Sequence, residues 1–292
     1  MNKMISFFKA VFSHFSKSNT FQEGAALAYY TVFSILPMIM IVVSLFGMIW
    51  GEAAVSGEVF TQLKSVLGED AAQQIQNMIN AQHTRHSNTL TTIIGFATLG
   101  LGATGMFNQL HTAFNNIWEL MAKPQNSFLA YATKHLVAFS VLIVTFFLLL
   151  LSLTLNSLLV KYSPQLTDNF PFSVAMEHLT SFFLTAGMFA LMFKSLGDAI
   201  VEWKLAIVSG LFTALLFLLG KFAIGLYIGH SSIASTFGSA SVLALIMIWV
   251  YYTSQILFLG ASFLYVLGKE WGLPVAPNQD AVFVEKKEIV DS

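Results

Sequence analysis

Six long apolar segments constrain the fold of this chain more than any other feature of its sequence. Each is close to the ~17–25 residues that a helix needs to cross the hydrocarbon core of a bilayer. Hydrophobicity does not alternate along them, so they predict helices that satisfy their own backbone hydrogen bonds rather than the strands of a barrel. The predicted spans are residues 25–50, 90–106, 136–160, 174–193, 203–228 and 241–267.

The composition supports a membrane protein and excludes several other classes. Hydrophobic residues make up 56% of the chain and charged residues 10%, which is far from the composition of a soluble domain. The formal net charge is -1 and no long basic run is present, so no nucleic-acid partner is expected. Because the chain has no cysteine, it can form no disulfide, thiolate metal site or cysteine nucleophile.

The distribution of basic residues predicts the orientation in the membrane. An even number of spans places both termini on one side, together with the loops around Lys123 and Lys194. That side holds ten lysines, including Lys204 at the start of the fifth span, whereas the other side holds only Lys64, Arg85 and Lys161. The positive-inside rule therefore predicts that both termini are cytoplasmic.

Several segments outside the spans have patterns of their own. Residues 1–20 carry apolar side chains at helical spacing and predict an amphipathic helix on the cytoplasmic membrane surface. Residues 21–270 form the predicted six-helix transmembrane domain. Within it, residues 51–88 predict an external helical hairpin, because two amphipathic patterns flank a break at Gly68. Residues 271–292, with two prolines and mixed charges, predict a disordered cytoplasmic tail.

An apolar stripe follows the short second span and predicts that its helix continues along the membrane interface. His111 and Asn115 belong to the polar side opposite this stripe. The predicted fold class is therefore an all-α membrane protein, a six-transmembrane-helix bundle with amphipathic interfacial helices and an external helical hairpin. The members of the stripe are Phe107, Leu110, Phe114, Ile117 and Met121.

Three runs of the sequence carry a specific resemblance to a known family. They are AALAYYTVFSILP at 25–37, LHTAFNNIW at 110–118 and FGSASVLALIMIWVYYTSQILFLGAS at 237–262. These runs resemble the YihY/BrkB family of bacterial inner-membrane proteins, and the likeness covers all six spans. The resemblance implies a multi-pass protein of the bacterial inner (cytoplasmic) membrane. Some members are described as virulence factors, and many were long labelled ribonuclease BN.

One position departs from the pattern of that family. The last span of the family usually ends Gly-Ala-Glu, whereas Gly260 and Ala261 are followed here by Ser262. A mechanism that uses a carboxylate at this position is therefore not expected in this chain.

The ribonuclease label does not fit the chemistry of the sequence. Metal-dependent cleavage of phosphodiesters needs clustered His, Asp or Glu ligands. The seven histidines are scattered, and the one close pair, His83 and His86, is interpreted as part of an exposed polar turn. We therefore expect no enzyme activity, no catalytic residue, no metal and no cofactor.

Lys221 is the strongest candidate for a functional residue, because a charge within a span is costly and usually faces the interior of a bundle. At helical spacing it shares a stripe of small residues with Gly210 and Ala214. Glu177 lies at a similar predicted depth and can pair with it. The alternatives are that the lysine stem reaches the interface and that Glu177 marks the interface.

Pro37 predicts a kink in the first span, because proline removes a backbone donor and clashes with the preceding turn. Tyr29, Tyr30 and Ser34 lie just before it. Carbonyl groups freed by the kink can bind a substrate, or they can be satisfied by Ser34 and neighbouring helices.

The last span carries a polar seam that includes Tyr251 and Gln255. This seam can contact a substrate, or it can fasten the bundle by hydrogen bonds between helices.

A bundle of this kind predicts transport, with a lipid-like or amphiphilic substrate favoured by the abundant Phe and the few charges within the spans. An ion transporter, for sodium or protons, is the first alternative. A non-transporting membrane scaffold or envelope assembly factor, with the external hairpin as its contact surface, is the second. Membrane lipids are the expected partners.

Overall fold

The computed structural model describes residues 2–67, 69–84, 89–123, 170–230 and 241–284, and this part of the chain is mostly helical. Its helices are α1 (Asn2–Lys17), α2 (Thr20–Trp50), α3 (Glu52–Leu67), α4 (Glu69–Thr84), α5 (Thr89–Ile117), α6 (Phe170–Ser195), α7 (Trp203–His230) and α8 (Ser241–Glu270). Its short strands are β1 (Leu120–Ala122), β2 (Ala199–Ile200), β3 (Ala276–Pro277) and β4 (Ala281–Phe283).

Five of the predicted spans fall within helices, namely α2, α5, α6, α7 and α8. The remaining predicted span, 136–160, lies outside the described residues. Among the residues that are described, two stretches are long and apolar enough to cross a membrane, Trp203–Ile224 and Val242–Glu270, and Leu179–Ser195 is a shorter apolar helix. The count of six spans stays a prediction.

Residues in the left-handed region follow several of the helices, as is common where a helix ends. Asn19 (φ 55°) follows α1, Gly51 (φ 87°) follows α2 and Gly272 (φ 68°) follows α8. Glycine and asparagine adopt this conformation at little cost. Glu119 (φ 56°), after α5, is the exception, and its side chain has a structural partner described below.

The chain divides into two compact units. The first unit comprises Met1–Thr20, Leu110–Leu216 and Ile256–Ser292. Large apolar side chains fill its core, because α1 and the ends of the long helices all turn an apolar face toward the same interior. Its fully buried side chains include Phe114, Trp118, Phe193, Leu196, Leu205, Phe258 and Leu264.

The first unit also contains two small antiparallel sheets. Strand β4 pairs with β1, with Leu120 opposite Phe283, and β3 pairs with β2, with Ile200 opposite Ala276. The fold is therefore not purely α-helical. The prediction of a disordered tail from residue 271 is wrong for residues 271–284, because these residues obtain backbone partners from loops that are distant in sequence. Residues 285–292 lie outside the described part.

The second unit comprises Phe21–Gln109 and Phe217–Gln255. Within it, α3 and α4 occupy the segment predicted as a helical hairpin and pack against each other. Gln76 donates to Ser56 Oγ across the pair at 2.7 Å, and Ile75 is fully buried. The location of this hairpin outside the membrane stays a prediction.

Candidate functional site

A buried polar cluster lies in the first unit, where α5 approaches the loop between α6 and β2. Asn115 Nδ2 donates to Asp198 Oδ2 at 2.9 Å, and the Asp198 backbone N–H donates to Asn115 Oδ1 at 2.9 Å. His111 Nε2 lies 3.2 Å from Asp198 Oδ2. Asp198 is 2% exposed, so its charge is separated from solvent and depends on these partners.

His111 and Asn115 are the polar side chains beside the buried Asp198 carboxylate. A buried carboxylate needs a paired cation or hydrogen-bond donors, and Asn115 supplies one donor whatever the protonation state of the histidine. The cluster also reaches the C-terminal segment, because Asn278 N donates to Asp198 O at 2.9 Å. One aspartate thus joins α5, the loop after α6 and the segment that contains β3 and β4.

Trp118 packs beside this cluster and fixes the end of α5. Its ring stacks on Phe114, with a centroid separation of 5.1 Å, and its Nε1–H donates to Ala261 O at 3.3 Å. A Cβ atom at Gly197 would lie 2.2 Å from Trp118 Cζ3. Only glycine therefore allows the loop that carries Asp198 to approach the tryptophan this closely.

A second polar cluster surrounds Tyr265 on α8. The Tyr265 hydroxyl donates to the Glu119 carboxylate, and Lys269 Nζ lies 4.2 Å from the Tyr265 ring centroid and 4.0 Å from Glu119 Oε2. The His14 ring of α1 stacks on the Tyr265 ring with a centroid separation of 4.4 Å, and His14 Nε2 lies 2.6 Å from Ile117 O. These contacts fix α1 to the ends of α5 and α8.

The predicted candidates on α2 lie in the second unit. Ser34 is buried against the α5 backbone at Gly102, where an added Cβ would lie 3.0 Å from Ser34 Cβ. Tyr30 packs on Gly105 of the same helix. Tyr29, in contrast, is 56% exposed. Ser34 also donates to Thr31 O in its own helix at 3.2 Å, which is not the Phe33 carbonyl that Pro37 leaves without a donor.

The polar seam on α8 packs against the start of α2. A Cβ added at Gly24 would lie 2.1 Å from Gln255 Nε2 and 2.6 Å from Ser254 Oγ, so these helices are in close contact. Tyr251 is partly exposed. Ser262, further along α8, is buried and donates to Phe258 O at 2.9 Å. The contact at Gly24 favours a role for Gln255 in fastening helices.

Lys221 has an exposed side chain on α7. The small-residue stripe predicted for this helix is buried at Gly210 and Ala214, but further along the helix the buried small residue is Gly220, against which the Tyr252 hydroxyl packs. Lys221 therefore lies at the edge of the packed face. Its functional role stays a prediction.

Two further candidates are placed only by their backbone. α2 is assigned as one helix through Pro37, and α6 includes Glu177. The side chains of both residues lie outside the described part. The kink at Pro37 and the pairing of Glu177 with Lys221 stay predictions.

Asp198 and its partners were not among the predicted site residues. Asn115 and His111 were interpreted as the polar side of an interfacial helix, yet Asn115 is buried and both contact Asp198. The sequence does contain an indication of this site, because Asp198 is a charged residue that follows Gly197 directly in a short loop between two apolar segments. In the described ranges, no group of three or more His, Asp or Glu side chains could hold a metal ion.

The helices and their apolar surfaces place the protein in the class of helical membrane proteins. The family model described as "Virulence factor BrkB" matches residues 11–282. The chain belongs to this family, which confirms the resemblance found in the sequence.

Curated relatives carry the name UPF0761 membrane protein. Those of Teredinibacter turnerae and Saccharophagus degradans are each 25% identical, covering 91% and 90% of this chain but 61% and 60% of their own lengths. The chain thus spans about three fifths of these relatives. A relative from Mannheimia succiniciproducens is 22% identical and is covered over 91% of its length, against 92% of this chain. No solved structure matches the chain.

Proposed function

We propose that this protein is a multi-pass transporter of the bacterial inner membrane that moves a lipid-like amphiphile. The observation that carries the proposal is the surroundings of Lys221 on α7. This exposed lysine is followed directly by Phe222 (71% exposed) and lies within about 60° of Leu218 (53% exposed) on the helical wheel. An apolar surface with one cation is complementary to an amphiphile with an anionic headgroup, because the acyl chain and the charge both find partners.

The test is lipid translocation by the purified full-length protein in liposomes, measured with fluorescent phospholipids that a reductant quenches only in the outer leaflet. We expect Lys221→Met to lower the rate for an anionic probe about fivefold, since a cation near a lipid surface contributes about 1 kcal/mol. Lys221→Arg keeps the charge and should retain transport. Lys64→Met, which removes an exposed lysine of α3, is the matched control. Glu177→Gln should give a smaller loss if it pairs with Lys221.

The outcomes separate this proposal from its alternatives. Full activity of Lys221→Met would show that the lysine is not part of the transport site. Proton flux without lipid movement would favour an ion transporter, for which the neighbouring His111 and Asp198 would be the first residues to substitute. If neither lipid nor ions moved, a scaffold function would take the place of transport.

A further inference from the structure

We infer that α1 is a binding surface for anionic phospholipids, separate from the proposed transport surface. The helix has three faces, and each has a different chemistry. One face packs within the first unit, where Val11 and Phe15 are buried and Phe7 meets Phe263 edge-on at 5.5 Å. Phe8 also approaches Phe212, at 6.3 Å between ring centroids.

The second face is apolar and exposed. Met4 (65%), Ile5 (59%), Phe8 (46%) and Phe12 (62%) project from it. At about 100° per residue they occupy one arc beside the packed face, so the contacts of α1 with the bundle fix the direction of this arc. Four large apolar side chains on one exposed arc are typical of a helix that lies in a membrane interface.

The third face is basic. Lys3, Lys9 and Lys17 are all exposed, and α1 contains no Asp or Glu. On the helical wheel Lys9 lies about 40° beyond the apolar arc, Lys17 lies opposite that arc, and Lys3 lies on the far edge of the packed face. With the apolar arc inserted among acyl chains, their ammonium groups reach the level of the headgroups, where anionic lipid phosphates are complementary to them.

Two tryptophans support this depth independently. Trp203 begins α7 and Trp271 follows α8, and they are 51% and 43% exposed. Lys204 Nζ lies 5.1 Å from the centroid of the Trp271 ring, and Lys194 Nζ lies 5.7 Å from that of Trp203. Exposed Trp beside Lys at the ends of apolar helices is typical of the membrane–water interface.

The contact between α1 and α8 lies at the same level. His14 stacks on Tyr265, which precedes Trp271 by about 9 Å of helix. α1 is therefore held where hydrocarbon gives way to headgroups. The occupant of its exposed arc is the adjacent lipid leaflet, and the lysines select anionic headgroups.

The test uses single cysteines, because the chain has none. Phe12→Cys labels the apolar arc, and Ser13→Cys, about 100° further around the helix, labels a neighbouring exposed position as a control. The full-length protein carries an environment-sensitive fluorophore and is reconstituted in nanodiscs of phosphatidylcholine, with or without phosphatidylglycerol. We expect blue-shifted emission at position 12 only, with a larger shift when phosphatidylglycerol is present.

A triple variant tests the charge selectivity. Lys3→Gln, Lys9→Gln and Lys17→Gln together should abolish the effect of phosphatidylglycerol at position 12, and Lys64→Gln on α3 should leave it intact. High salt should imitate the triple variant, because the screening length falls from about 10 Å at 0.1 M to about 3 Å at 1 M.

Three results would overturn the inference. The first is equal, water-like emission at positions 12 and 13. The second is emission at position 12 that is the same with and without phosphatidylglycerol. The third is a phosphatidylglycerol effect that persists in the triple variant. The three lysines are exposed, so the triple variant should fold, and a monodisperse elution profile checks this.

Discussion

The polar cluster around Asp198 makes a quantitative prediction for Asn115→Ala. The substitution removes two hydrogen bonds of 2.9 Å, one to the carboxylate and one from the Asp198 backbone N–H. A bond to a charged group contributes about 1.5–3 kcal/mol and a neutral one about 0.5–1.5 kcal/mol. Because Asp198 is buried, water does not replace the lost donor. We expect the free energy of unfolding to fall by about 3 kcal/mol.

The assay is thermal unfolding of the purified full-length protein in detergent, followed by tryptophan fluorescence. With the scaling known for large soluble domains, about 3 kcal/mol corresponds to a decrease in Tm of about 6–12 °C. Asn108→Ala is the matched control, since Asn108 is an exposed asparagine on the same helix. There the higher helix propensity of alanine should leave Tm unchanged or slightly raised.

A double-mutant cycle assigns the effect to the pair. Asn115→Ala and Asp198→Ala should be non-additive, because both remove the hydrogen bond from Asn115 Nδ2 to Asp198 Oδ2, although the backbone N–H of residue 198 keeps its bond in Asp198→Ala. The reasoning is refuted if the free energy of unfolding of Asn115→Ala lies within about 0.5 kcal/mol of that of the parent, which is the range of ordinary surface substitutions. Additive effects of the two substitutions would likewise show that the bonds are not coupled.

Two further predictions concern glycine packing and the proline in α2. Gly197→Ala should destabilise the protein by about 1–3 kcal/mol in the same unfolding assay, because its Cβ would overlap the buried Trp118 ring. Gly187→Ala, where nothing lies within 4 Å of the added Cβ, should be neutral or stabilising, and equal effects at the two sites would contradict this explanation. Pro37→Ala should straighten α2 and lower transport more than expression. Loss of protein from the membrane, with unchanged activity per molecule, would instead assign the proline to folding.

The sequence alone determined the elements that depend on local periodicity and hydrophobicity. The apolar runs predicted helices, and α2, α5, α6, α7 and α8 contain five of them. The amphipathic pattern of residues 1–20 predicted α1, and the two patterns around Gly68 predicted α3 and α4. These predictions succeed because helical hydrogen bonds form within four residues and amphipathic faces repeat every 3.6 residues.

Only the tertiary structure decided which polar residues meet. Asp198 and Asn115 are 83 positions apart, and no local pattern indicates that they bond. The pairing of β1 with β4 joins Leu120 to Phe283, and it orders a segment whose composition predicts disorder. The exposure of Lys221 likewise depends on which part of α7 a neighbouring helix covers. The Tyr252 hydroxyl packs on Gly220, and Lys221 stays exposed. Such contacts arise from the packing of distant segments, where burial makes each polar group depend on a partner that its own sequence neighbourhood does not supply.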